Sequence, residues 1–239
     1  GSMAVIKKPS AADVGGALVS IVPVVAPTPT ANVMRYLADY AINGVARLPG
    51  AREAAATALG HQKGGTEAAI DAVTRAHTSM AGAQGFLTNL GGMITALAGV
   101  PANLAAVTVI QTRMVAAIAH LRGYDLDDPR VRQAVWITLL GHRTVESLLS
   151  EGKLPSTPLG VATAPVADDA LEQQIAEQVL SSLLGRAGTK QTVAFLGKRV
   201  PMIGGGVGMA TDGYTTWTVA RYARQQFVVR RSITPTDVE

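Results

Sequence analysis

Proton-handling or metal chemistry in this chain would have to begin from four histidines: His61, His77, His120 and His142. No His-Glu-x-x-His pair occurs, and cysteine is absent. A zinc-protease helix, a thiolate metal site, a thiol nucleophile and a disulfide are therefore all excluded. His142 and Glu146 stand four apart and would share one helix face. No third ligand is evident, so the pair reads as a side-chain contact; no metal and no cofactor are expected. His77 opens a long uncharged stretch and has two readings. It is either a buried, hydrogen-bonded residue or a base near an apolar pocket, oriented by Asp125 or Asp212. Those three are the catalytic candidates. No Gly-x-Ser-x-Gly elbow accompanies them.

Two further patterns imitate ligand sites. Gly204-Gly205-Gly206-Val207-Gly208 suggests a phosphate loop. A dinucleotide fingerprint needs Gly-x-Gly-x-x-Gly between a strand and a helix, whereas here Thr211 takes the last place and the preceding segment reads as helix. Close helix packing or a bend is the better account. Asp125-x-Asp127-Asp128 starts like a calcium loop, but Arg130 replaces the obligatory Gly and Trp136 the closing Glu. Helix capping is expected there instead.

Arg113 is the only formal charge inside a long apolar stretch. A buried charge is costly unless paired, so it is expected either to pair with Asp212 or Glu146 or to snorkel to the surface. Tyr214, Trp217, Arg221 and Arg224 recur at spacings of three and four, a stripe of aromatics running into arginines. Such a stripe suits a membrane–water boundary; the alternative is core aromatics followed by a solvated helix end.

The elements that position these residues read as helices. The chain has 239 residues, 48% of them hydrophobic, 16% charged and 4% aromatic. That excludes a disordered chain, which needs low hydrophobicity and high net charge. The shortage of aromatics argues against a sheet protein. Apolar periodicity marks a helix from Asn32 to Leu48, with Pro49-Gly50 ending it. Further helices are expected over Ala51–Gly60 and from Thr66 through Arg75. Between Arg75 and Arg113 lie 37 residues without a charge, divided by Pro101. These predict two buried helices, with a membrane-entering hairpin over 76–121 as the alternative. Asp128-Pro129 should start a helix reaching Leu140. Residues 152–165 read as a linker. Helices are then expected from Asp168, over Thr189–Val200 and over Pro201–Phe227. The sum is an all-α protein: one compact bundle of about eight helices around a central glycine-rich pair, spanning 31–230. A Pro-containing arm (1–30) precedes it and a tail (231–239) follows. Gly1-Ser2 reads as an expression scar, and Asp13 with Gly15-Gly16 spoils a faint signal-peptide pattern.

Charge gives a mild bias. There are 21 basic residues against 17 acidic, a net +4, which does not indicate a nucleic-acid partner. Fifteen of the 21 are arginine; with the abundant Ala and Gly, this suggests a GC-rich bacterial genome. Arg221, Arg224, Arg230 and Arg231 cluster without an acidic residue among them, which reads either as a solvated helix end, where cations suit the helix dipole, or as a patch for anionic lipid or phosphate.

Two stretches together resemble the EcsC protein family of bacteria. One runs from Ala76-His77 through Gly99-Val100-Pro101-Ala102-Asn103-Leu104 to His120-Leu121-Arg122-Gly123-Tyr124-Asp125-Leu126. The other is Lys198-Arg199-Val200-Pro201-Met202-Ile203-Gly204-Gly205-Gly206-Val207-Gly208, followed by Asp212 and a Thr-rich helix. The resemblance covers about residues 30 to 230. It implies an all-helical bacterial protein and adds no cofactor; the family is named for a protein encoded beside an ABC transporter. His77, Asn103, Tyr124, Asp125, Pro201, Gly204 and Asp212 occupy family-like positions. The family usually has Asp where Asn103 stands, so a catalytic carboxylate is not offered there.

Three functions follow as expectations. The first is a non-enzymatic or accessory protein that binds anionic lipid at the inner face of the bacterial membrane, in the cytoplasm, with a membrane transporter as a further partner. The second is a hydrolase of a lipid-like or peptide substrate using His77. The third is a protein-interaction scaffold.

Overall fold

In a computed structural model, residues 29–45, 47–61, 63–83, 90, 101–197 and 204–230 are described. They form nine helices: α1 (Pro29–Asn43), α2 (Ala51–His61), α3 (Gly65–Gly82), α4 (Ala102–Leu121), α5 (Pro129–Thr138), α6 (Gly141–Ser150), α7 (Pro158–Ala162), α8 (Asp169–Gly197) and α9 (Gly204–Gln226). Among the described residues there is no strand beyond one isolated bridge, Val45 to Leu48. The all-α expectation holds.

The centre of the bundle is α4. It carries buried residues on every side, including Ala106, Val109, Ile110, Met114, Val115 and Ile118. A helix that is apolar all round belongs in a core or a bilayer. By length and composition α4 could cross a membrane, yet 83% of its most apolar window is buried inside the protein. Helices α1, α2, α3 and α9 pack directly on it, and α8 closes the far side through α1 and α5. An Arg35–Glu172 ion pair ties α1 to α8.

Several boundaries differ from the sequence reading. The first helix stops at Asn43 because Gly44 takes a left-handed backbone (φ 96°), and Val45–Leu48 then close a tight turn. Helix α3 runs on to Gly82, seven residues past Arg75, because His77 and Ala81 continue its buried face. The helix begun by Pro129 ends at Thr138, and α6 restarts at Gly141. The linker 152–165 contains α7, capped by the Thr157 hydroxyl on the Gly160 N–H. Asp169–Gly197 is one helix where two were expected. The central pair is seen only in part. Its second member, α4, has no glycine, while Gly85, Gly91, Gly92 and Gly99 of the first lie outside the described residues. Pro201, the signal-like stretch before residue 29 and the tail after 230 also lie outside them.

The cap at Asp128 is as expected. Its carboxylate accepts the Arg130 N–H at 2.9 Å, with Pro129 at the first helical position. Asp128 also receives the Arg130 guanidinium, and that hydrogen bond is the main reason its carboxyl lies below the usual carboxylate range. Asp128→Ala should cost about 1 kcal/mol and lower Tm by about 2–4 °C. A thermal melt showing no change would mean that Pro129 alone sets the helix start.

Candidate functional site

Helices α3 and α9 share the most extensive interhelical contact among the described residues. At the surface between them lies a groove of about 390 Å³. One wall comes from α3: Asp71, Thr74, Arg75, Thr78 and Ser79 recur at three and four and so share a face. The other comes from α9: Trp217, Ala220, Arg221 and Arg224.

The stripe predicted on α9 is present and mostly outward. Tyr214 and Trp217 are 67% and 41% exposed, with ring centroids 6.2 Å apart. The Arg221 guanidinium lies over the Trp217 ring, 4.9 Å from its centroid. Neither Arg221 nor Arg75 is paired with a carboxylate among the described residues. Arg224 differs. It is gripped by Asp71 and, at 2.9 Å, by Glu67, both on α3. Its charge is therefore already offset, and it reads as a tie between α3 and α9 rather than as a free cation. The anion-facing charges of the groove are Arg221 and Arg75, and sequence reasoning missed the second.

Beneath this face lies a polar contact inside the core. His77 is 1% exposed. Its Nδ1 donates to the Val73 carbonyl at 2.7 Å, which leaves Nε2 as acceptor for the Arg113 Nη1 at 2.8 Å. Arg113 Nε donates to the Pro49 carbonyl at 2.6 Å, a carbonyl presented by the tight turn after α1. Burial, reinforced by the neighbouring Arg113 charge, pushes the His77 imidazole down to about 4. Burial also lowers Arg113, partly countered by Glu53. Arg113 thus meets a carbonyl and a neutral imidazole, where Asp212 or Glu146 had been expected. At 6% exposure it does not snorkel.

The other predicted residues scatter. Asp125 is exposed in the turn after α4, where its carboxylate accepts the Asp127 N–H at 2.9 Å. Asp212 is half-buried on α9. Neither is a partner of His77, whose two ring nitrogens are held by Val73 and Arg113. Asn103 is exposed in the first turn of α4. Gly204 begins α9, and the glycine cluster after it is helical rather than a phosphate loop. Tyr124 is a core residue: its hydroxyl donates to the Val228 carbonyl at 2.8 Å, and its ring meets Phe227 edge-on at 5.1 Å. Gly123, at φ 89°, allows the chain to turn into that position. His142 and Glu146 form an exposed pair at 3.3 Å. No cluster of metal-ligating side chains occurs among the described residues.

One family model, described as the EcsC protein family, matches residues 65–231. The match begins at the first residue of α3 and includes all of α9, so both walls of the groove fall within it. It begins later than the resemblance read from the residues, which reached back to about residue 30. No match to the chain was found among curated proteins or among solved structures.

Proposed function

This chain belongs to the EcsC protein family, and from that premise we propose that it is a non-enzymatic, accessory helical protein that binds anionic lipid peripherally at the inner face of the bacterial membrane. One observation carries the reading. Tyr214, Trp217 and Arg221 form an outward ladder on α9, and Arg75, without a carboxylate partner among the described residues, stands across the groove from it. Amphipathic rings with adjacent arginines fit the headgroup level of a bilayer. A membrane transporter is the further partner proposed, on the family resemblance alone.

The test is flotation with liposomes, neutral against anionic, at low and high salt. Binding to anionic vesicles only, weakened by salt, is the expected result. A surface arginine contributes about 1 kcal/mol near anionic headgroups, so Arg221→Glu should weaken binding by roughly thirtyfold. Salt-resistant flotation would point instead to insertion of the apolar 76–121 region. No flotation at all would leave a soluble binding or scaffold role.

A further inference from the structure

We propose that the groove between α3 and α9 is a pocket for one phosphomonoester headgroup, with the lipid's acyl chains left outside in the bilayer. This deepens the peripheral-membrane reading and rests on it for the source of the phosphate.

Three observations carry the assignment. The first is charge. Arg75 and Arg221 line the groove from opposite helices without carboxylate partners among the described residues, which places two positive charges there. A phosphomonoester carries about −1.5 to −2 at neutral pH and matches them; a phosphodiester carries half as much. Guanidinium forks also suit phosphate oxygens geometrically. The second is hydrogen-bonding capacity. The Thr78 hydroxyl is enclosed in the groove wall and has no partner among the described residues. Buried polar atoms are nearly always satisfied, so an unmade bond in the wall of a groove that also holds two arginines calls for an acceptor. The Thr74 hydroxyl, by contrast, is already committed to the Ile70 carbonyl at 2.8 Å. The third is size. About 390 Å³ falls at the small end of ligand sites, roughly 300–1,000 Å³, which suits a headgroup.

Asp71 gives the pocket its orientation. Its carboxylate lines the groove but is held by Arg224. An anion is therefore repelled from that end and drawn toward Arg75 and Arg221. Removing the Asp71 charge would leave Arg224 held by Glu67 alone and make the groove more positive by one charge, which should strengthen binding.

The experiment compares vesicles containing phosphatidic acid with vesicles containing phosphatidylglycerol, matched for total negative charge, in neutral phosphatidylcholine. Glycerol 3-phosphate without vesicles is titrated alongside by calorimetry. The full chain should prefer phosphatidic acid. Arg75→Gln should weaken that binding roughly tenfold, the usual effect of losing a charge-assisted hydrogen bond. Thr78→Val should weaken it severalfold, and Asp71→Asn should strengthen it. Arg143→Gln, on α6 away from the groove, serves as the control. Equal binding to the two lipids, or equal effects of Arg75→Gln and Arg143→Gln, overturns the pocket while leaving peripheral binding intact. Binding of glycerol 3-phosphate with no flotation on any vesicle keeps a phosphate pocket and overturns its membrane source. No response to either probe overturns both readings.

Discussion

Replacing His77 with leucine is expected to destabilise the protein by about 2–3 kcal/mol, the upper part of the range for a hydrogen bond to a charged group. The substitution fills the space with a similar apolar volume but removes the only imidazole acceptor for Arg113 Nη1. A guanidinium at 6% exposure then keeps its charge and loses a hydrogen bond. The remedy should be a second substitution. In His77→Leu/Arg113→Met the stranded charge is gone, and only the Pro49 carbonyl is left without its donor. Most of the loss should return, with a coupling energy of about 2 kcal/mol or more in a double-mutant cycle. If the two single substitutions simply add, the hydrogen bond between them is not what holds this part of the core.

The same residue makes the fold sensitive to acid. The folded imidazole lies at about 4, below its ordinary value of 6.5, chiefly because burial disfavours the charged form. Between those values the unfolded chain binds the proton and the folded chain does not. Stability from this group is therefore complete above pH 6.5 and falls as pH drops toward 4. A difference of about 2.5 units corresponds to about 3 kcal/mol. Urea denaturation at several pH values should show that slope in the wild type, and His77→Leu should flatten it.

The helical class was legible because its signals are local. The three-and-four spacing of Met34, Leu37, Ala38 and Ala41 and the Asp128-Pro129 start need no knowledge of the rest of the chain. The burial of α4 was legible for a related reason: a span whose single charge is Arg113 has nowhere polar to face. The partner of that arginine was not legible. It lies on a turn at Pro49 and on α3 at His77, and a backbone carbonyl has no signature in a sequence. The α9 stripe shows the same limit from the other side. Spacing put Tyr214, Trp217, Arg221 and Arg224 on one face, and three of them are outward. The fourth is neutralised by Glu67 and Asp71, and periodicity within one helix is blind to the charges on its neighbour. A usable signal did exist. Glu67, Asp71, Arg75 and Ser79 follow one another at intervals of four, a polar stripe on a helix otherwise rich in alanine. Reading it against the α9 stripe would have suggested both the pairing and the leftover cation.

Arg122→Met should be the second severe substitution, because this residue fastens the end of α9. Its Nη1 donates to the Phe227 carbonyl at 3.0 Å and reaches the Arg224 carbonyl at 3.4 Å. Arg224 lies in the last turn of α9 and Phe227 directly follows it, where carbonyls have no intrahelical donor and a cation also suits the helix dipole. Its Nη2 pairs with Glu67 at 3.1 Å, and its own carbonyl accepts the Arg230 N–H at 2.9 Å. Hydrogen bonds to charged groups contribute about 1.5–3 kcal/mol each, so a loss of about 3 kcal/mol is expected. For a chain of this size that is a fall in Tm of about 6–12 °C. Lysine should not rescue it, since a single ammonium cannot reproduce the fork that spans two carbonyls and a carboxylate. The loss should also be directional. Amide hydrogen exchange should quicken in the last turns of α9 and around Tyr124 before it quickens in α4. Because Trp217 and Arg221 ride on α9, vesicle binding should weaken in the same variant although no residue of the groove has changed. If α9 exchange and vesicle binding both stay at wild-type levels while Tm falls, the clamp acts on the core alone and the groove is positioned by the α3 carboxylates holding Arg224.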